Sequence, residues 1–417
     1  MINAVVSDAS SAAAISVAIL LLFSAGEWLH RSLKVRVELT RKLTHVGAGV
    51  IVMTFPWTLS SPWTVLLLSV SFGALLSVGK LTGLLSSVHN VDRRTSGAFF
   101  YPVAVLGTFW LSRGDPLLFC VPIAVMALAD TAAALVGQSV GQFHYRVFDN
   151  RRSVEGSMGF FAFALAVCMS GLALYGAPGW PAMLIVALVA AIMATATESI
   201  SVRGSDNLFI PYTVFLVLDR TMRLGLRDLS GWLEGMMLAL MVLVGSYRVA
   251  ALTPAGGVTV FLVVTLAWAL GGLVWLMPLL ALYLLYIVTA PREGDIRADL
   301  NEVFPTTVGS MIVVLAFGHF GEADLFVPYL ATLTASGAIA LGRMATLRGW
   351  PLIPLALSGA MTPLMPVVAY EHSVPVPALA LATLAGCAAF ASLRRSDFSG
   401  RRMLSALLAG AVAWAAA

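Results

Sequence analysis

The chain has 417 residues, 59% of them hydrophobic and only 11% charged, with a formal net charge of +4. An average soluble domain carries about 25% charged residues, and a mean hydropathy of +0.91 lies far to the apolar side. A soluble globular enzyme, a disordered chain and a nucleic-acid binder are thereby excluded; an all-α, polytopic helical integral membrane protein with about 12–14 transmembrane helices is predicted.

In chain order, the first apolar run covers 11–29, preceded by a tail whose only charge is Asp8 and followed by Arg31, Lys34 and Arg36. A secretory signal has the opposite charge order, so this run reads as a retained first helix with its N-terminus outside. Three stretches, 46–79, 157–197 and 249–290, hold no charged residue, and each is long enough for two helices. Pro and Trp inside the first two (Pro56-Trp57 with Pro62-Trp63, and Pro178 through Pro181) predict short loops at a membrane interface. Helices are therefore expected near 11–29, 46–60, 63–79, 97–112, 116–136, 157–175 and 181–199. The connections at 30–45, 80–96, 137–156 and 200–208 then share one side. They hold 12 of the first 13 Lys and Arg residues, Arg113 being the exception, and the positive-inside rule makes that side cytoplasmic. The inner (plasma) membrane, with the site facing the cytoplasm, is the expected location. Past 209 the pattern fits either a re-entrant segment and an interfacial helix or a true crossing, because 210–218 is short for a span and Arg220, Arg223, Arg227 and Asp228 follow. Arg394, Arg395, Arg401 and Arg402 suggest a further cytoplasmic loop. Cys120, Cys168 and Cys387 lie in apolar runs without metal-ligand spacing and read as inert core residues.

Polar groups at membrane depth are costly and suggest function. They collect at the cytoplasmic helix ends: Arg41, Lys42 and His45; Asp92, Arg93 and Arg94; Asp130 in an Ala/Leu run; Arg151, Arg152, Ser153, Glu155, Gly156 and Ser157; and Glu198 with Asp206 and Asn207. Facing one compartment, they can converge on one site. The chemistry suggested is that of phosphate: carboxylates for Mg²⁺, Arg and Lys for phosphate oxygens, and a helix opening at Gly156-Ser157 as an anion seat. Each group has a plainer reading. Arg41, Lys42, Arg93 and Arg94 could be topology anchors, His45 a packed histidine, Glu198 a boundary residue, and Gly137 and Gly141 helix-packing residues. Asp130 is the exception, because a lone carboxylate in such a helix needs a partner. No Walker A or protein-kinase glycine loop is present.

Four of these groups carry a resemblance. Arg41-Lys42-Leu43-Thr44-His45 resembles the R-K-x-x-H element of the CTP-dependent polyprenol kinases, the family of phytol and dolichol kinases, distantly similar to phosphatidate cytidylyltransferases. Asp130 through Gly137 and Gly141 is similar to its D-x-x-A-x-x-x-G-x-x-x-G element. Arg152-Ser153-Val154-Glu155-Gly156-Ser157 resembles K-S-x-E-G-S, with Arg152 where the family has Lys. Glu198 and Ser201, then Asp206-Asn207-Leu208 and Pro211, resemble E-x-x-S and D-N-L-x-x-P. The elements come in the family's order over roughly 30–220.

The resemblance implies transfer of the γ-phosphoryl group of CTP, with Mg²⁺, to a long-chain isoprenoid alcohol lying among membrane lipids. Asp130, Glu155 and Asp206 would be metal ligands, and Asp130 also catalytic. Arg41, Lys42, Gly137, Gly141, Arg151, Arg152, Ser153, Gly156 and Ser157 would bind nucleotide phosphate. Glu198 or His45 would take the alcohol proton, and Asn207 would complete the site. The alternatives are CDP-lipid synthesis by a cytidylyltransferase-like enzyme and an anionic-lipid transporter; charges gathered near one face argue against the latter.

Residues 1–250 thus form the expected catalytic domain, and 251–417 a multi-helix membrane extension. The extension matches no motif, and its polar residues are the acidic connection at 292–302 (Glu293, Asp295, Asp299, Glu302), His319 with Glu322 and Asp324, and Glu371 with His372.

Overall fold

The computed structural model describes residues 2–82, 97–147, 150–175, 179–248, 252–289, 300–320, 325–349, 351–370, 376–392 and 398–416. The expected all-α polytopic membrane architecture is what it shows. Among the described residues seven helices are long and apolar enough to cross a membrane, and several shorter apolar helices accompany them. The chain divides into two units, Met1–Leu229 and Ser230–Ala417. Of the polar groups read from the sequence, Asp92, Arg93, Arg94, Glu293, Asp295, Asp299, Glu322, Asp324, Glu371, His372, Arg394 and Arg395 lie outside the described residues, as do the side chains of Glu302, His319, Arg401 and Arg402.

The first unit opens with a short α1 (Ile2–Ser7) and α2 (Ala9–Ser32). Between them Asp8, 4% exposed, accepts hydrogen bonds from the backbone N–H groups of Ser60 and Ser61 and from the hydroxyls of Ser60 and Thr64. It thereby ties the N-terminus to the turn between α4 (Phe55–Thr58) and α5 (Pro62–Thr82). The second helix, expected from residue 46, begins earlier: α3 runs Val37–Val52. Glu38 and Arg41, one turn apart, form an ion pair that supports its charged first half. The polarity of α3 is inverted, with Thr40, Lys42 and Thr44 buried while Leu39, Leu43 and Val50 are exposed. Apolar residues outward and polar ones inward suit a helix that has lipid on one side and a polar site on the other.

After α6 (Gly97–Ser112), helix α7 spans Pro116–Val140 and is capped by Asp115, whose carboxylate accepts from the N–H groups of Leu117 and Leu118. Val125–Ala129 form a π turn inside α7, immediately before Asp130. One extra residue in a helix rotates everything after it by roughly 100°, so the π turn sets where Asp130 points. The polar connection that follows is a β-hairpin, not the irregular loop implied by the sequence reading. Strands β1 (His144–Val147) and β2 (Asn150–Ser153) pair antiparallel, with Tyr145 opposite Arg152 and Arg146 opposite Arg151. Tyr145 and Val147 alternate with polar residues at period two, which a four-residue strand can satisfy and a helix cannot.

Helices α8 (Val154–Leu174), α9 (Trp180–Ile200) and α10 (Asp206–Thr221) complete the unit. Val186, Ala187, Val189, Ala190, Ala191, Met193 and Ala194 are all fully buried, so α9 is packed in the protein over most of its circumference and ends at the site with Glu198. An aromatic cluster of Phe55, Phe109 and Phe119, with centroids 5.4–6.4 Å apart, packs α4, α6 and α7 together. The ambiguous region past 209 resolves into α10 and then α11 (Leu226–Arg248), whose Leu226–Gly245 part is itself long and apolar enough to span.

In the second unit the third charge-free stretch forms α12 (Pro254–Thr289), broken at Gly272, where φ is 67° and ψ −161°. Only glycine adopts that conformation without strain, so two helical segments meet there, as the length of the stretch predicts. The unit continues with α13 (Leu300–Phe320) and α14 (Phe326–Arg348). Trp275 stacks on Phe317 at 4.3 Å, and the Tyr329 hydroxyl donates to the Trp275 carbonyl at 2.5 Å. Among the described residues four further α-helices follow: Leu352–Met361, Met365–Tyr370, Val376–Ser392 and Phe398–Ala416.

Candidate active site

The sequence-predicted residues fall into three neighbouring groups. At the centre, Lys42 of α3 reaches Asp130 of α7. Its ammonium donates to the carboxylate at 2.5 Å and to the Asp130 carbonyl at 3.2 Å. Both side chains are largely buried, at 5% and 16% exposure. The Lys42 charge therefore serves Asp130 first, with one ammonium hydrogen left for a ligand. His45, one turn along α3, lies 4.0 Å from the same carboxylate, and its Nε2 is 3.4 Å from the Met126 carbonyl. Asp206, at the start of α10, has its pKa raised first by burial and then by the Asp130 charge, with Arg152 and Lys42 opposing the shift. Two carboxylates and three cations, Lys42, Arg41 and Arg152, thus share one electrostatic environment. Asn207 is fixed beside them by donating to the Gly97 carbonyl at 3.1 Å.

The hairpin supplies the second group. Its register turns Arg152 inward, where the guanidinium pairs with Glu198 and donates to the Ser201 carbonyl at 2.7 Å. Arg151 alternates to the other face and is exposed. Among the described residues the buried atoms Arg152 Nε and Glu198 Oε2 have no partner.

The third group joins α7 to α8. Ser153 caps α8 by accepting from the Gly156 N–H at 3.1 Å, and Ser157 shares a 2.8 Å hydrogen bond with the Tyr145 hydroxyl. A Cβ added to Gly137 or Gly141 would come within 2.9 Å of the Ser153 hydroxyl, and one on Gly156 within 3.0 Å of the Ala133 carbonyl. The three glycines thus let α7 and the start of α8 touch, and hold the hairpin at the mouth of the site. Glu155 accepts from the Phe143 N–H at 3.1 Å, and its second oxygen has no partner. Among the described residues no three His, Cys, Asp or Glu side chains gather closely enough to hold a metal by themselves.

A cavity of about 490 Å³ borders the central group. Arg41, Thr44, His45 and Asn207 give it a polar end, whereas Ile19, Phe23, Phe72, Leu76, Phe100 and Val105 give it an apolar body. Tyr101 lines it too and packs edge-on against His45, with centroids 5.3 Å apart. Sequence reasoning found the charged residues but neither the cavity nor Tyr101. Its walls are ordinary apolar residues from separate helices, and nothing local marks them. The Glu38–Arg41 pair had a signal in its i, i+3 spacing, and it went unread.

Over 189 residues the chain is 34% identical to a protein of Synechocystis sp. named phytol kinase; the match covers 44% of this chain and 80% of that protein. No family model matches the chain, and no solved structure does.

Proposed function

From the premise that the chain belongs to the phytol and polyprenol kinase family, we propose that it transfers the γ-phosphoryl group of CTP to a long-chain isoprenoid alcohol at the cytoplasmic face of the membrane. The observation that carries this reading is the cavity: one polar end beside Asp130 and an apolar body between helices. An alcohol with a long hydrocarbon tail matches that division, its hydroxyl at Arg41, His45 and Asn207 and its tail among the phenylalanines. The charge asymmetry of the connections supports a cytoplasmic nucleotide site.

Phosphoryl transfer asks mainly for positioning and for positive charge on the phosphate oxygens. Arg152, Arg41 and the remaining ammonium hydrogen of Lys42 supply the charge. The alcohol oxygen attacks the γ-phosphorus, the bond to the β,γ-bridging oxygen breaks, and CDP leaves. His45 accepts the alcohol proton. Its buried, edge-packed ring is held in place, and a loose transition state needs little more from a base.

A hard divalent cation fits this donor set. Mg²⁺ is usually held by one or two carboxylates plus substrate phosphates, and Asp130 and Asp206 are close enough that the charge of the first raises the pKa of the second. These two residues would hold it, and it would neutralise phosphate oxygens. Glu155, engaged by the Phe143 N–H, supports the hairpin.

The test follows label into lipid with purified protein in detergent, Mg²⁺ and a panel of isoprenoid alcohols. CTP labelled in the γ-phosphate is run beside CTP labelled in the cytidine. Label from the γ-phosphate alone, in an alcohol product, is the expected result. Cytidine label in a phospholipid would overturn the reading in favour of CDP-lipid synthesis.

A further inference from the structure

Glu198 is a buried carboxylate in the last turn of α9, and it does not line the cavity in which the alcohol would react. What it touches is Arg152. A guanidinium carries five N–H donors in a fixed plane. Two of them go to Glu198 and to the Ser201 carbonyl, the residues that bracket the last turn of α9. Among the described residues Nε, although buried, has no acceptor, and the second oxygen of Glu198 likewise has no donor. A buried N–H without an acceptor is rare in a native structure and points to a partner that arrives with a ligand. The guanidinium is a fixed cation whose planar fork matches the oxygens of a phosphate, so an anionic oxygen is the acceptor that its open edge suits.

We infer that Glu198 is a positioning residue: with the Ser201 carbonyl it clamps one edge of the Arg152 guanidinium, so that the Nε edge is presented to a phosphate oxygen of the nucleotide. The inference rests on the phosphoryl-transfer reading above. It also gives a physical reason for arginine at this position. A lysine has three donors radiating from one point; held by two acceptors, it has one left and no second edge. Arginine is gripped on one edge and remains open on another. Glu198 therefore takes no proton, and its effect appears in nucleotide binding.

The experiment uses the full chain in detergent and measures KM for CTP, KM for the alcohol and the pH profile of kcat. Glu198→Gln, Arg152→Lys and the double variant are compared with wild type. Glu198→Gln is expected to raise the KM for CTP about tenfold, the worth of roughly one charged hydrogen bond, with the alcohol KM and the pH profile unchanged. The double variant is expected to be no worse than Arg152→Lys alone, because both substitutions break one clamp. If Glu198→Gln does not fold, Glu198→Asp, which keeps the charge but shortens its reach, carries the same comparison.

Three results would overturn the inference. Loss of kcat together with the acidic limb of the pH profile would make Glu198 the proton acceptor. Additive losses in the double variant would make the two residues independent. A lowered unfolding temperature with an unchanged KM for CTP would make the pair purely structural. The parent reading fails separately, and this inference with it, only if the wild type transfers no γ-phosphoryl group to any alcohol.

Discussion

Lys42 and Asp130 lie 88 residues apart in the chain and meet in a largely buried ion pair. Removing one member of such a pair leaves an uncompensated buried charge, at about 3–5 kcal/mol, whereas replacing both with apolar residues of similar size is often neutral. Lys42→Met should therefore lower the unfolding temperature sharply, and Lys42→Met/Asp130→Leu should recover most of the loss while remaining inactive. Asp130→Asn keeps an acceptor oxygen for the ammonium, so it should cost less stability than Lys42→Met yet abolish activity. Thermal unfolding in detergent, read beside the kinase assay, separates these outcomes. Full activity of Asp130→Asn would remove Asp130 from the site. At this scale the sequence was informative about one partner only. An isolated carboxylate in an Ala/Leu run demands a cation, but no local feature says that Lys42 reaches it; only the i, i+3 spacing of Glu38 and Arg41 hints that Arg41 turns elsewhere. The π turn before Asp130 sets the direction of its side chain, and the residues of that turn, Val125 to Ala129, are unremarkable in composition.

Elements were more legible than pairs. The apolar runs gave α2, α5, α6 and α7 to α9 nearly at their observed positions, because span length and charge exclusion are strong constraints. Elements whose polarity is mixed were misread: α3 begins inside the charged segment, and the hairpin hides in a stretch short enough to pass for a loop. Asp8 shows a third kind of miss. In the sequence it is the lone charge of a tail, and in the structure it binds the start of α2 to the turn before α5. Burial alone would raise its pKa. The hydrogen bonds from Ser60, Thr64 and Ser61 outweigh that and hold it below the usual 3.8. A carboxyl with a lowered pKa in the folded state contributes stability that is complete above its unfolded pKa and is lost as pH falls through the folded value. Asp8→Ala should thus cost about 1–2 kcal/mol at pH 7, as capping losses do, and the gap from wild type should close below about pH 4. Unfolding temperatures of both proteins from pH 7 to pH 3 check this; a gap that persists unchanged at the acid end would mean that packing, not the charge, holds the N-terminus.

At the scale of the whole molecule, the lipid-facing surface and the site answer to one rule, inverted: large apolar side chains such as Leu21, Trp57, Leu67 and Phe163 are exposed, while charged groups are gathered inside. The charge asymmetry of the connections can be counted along the chain. The cavity was not legible in the sequence, because six helices contribute to it and most of the residues they lend read individually as core. Its least obstructed wall is on α5, where Ser69, Phe72, Gly73, Leu76 and Ser77 recur at helical spacing along the cavity. A Cβ at Gly73 would meet nothing within 4 Å, so a side chain placed there would enter open space without displacing the protein. Leucine is also a better helix former than glycine by nearly 1 kcal/mol, so Gly73→Leu should fold at least as well as wild type. If the cavity holds the alcohol's tail, Gly73→Leu should lower kcat/KM for the longest accepted alcohol by about tenfold or more, as loss of a few methylenes of room does. The shortest alcohol should be spared, and so should the KM for CTP, because Gly73 is not among the phosphate-binding groups. Equal losses across the alcohol panel would show that the tail lies elsewhere, in the bilayer or along another face, and that only the hydroxyl enters the protein.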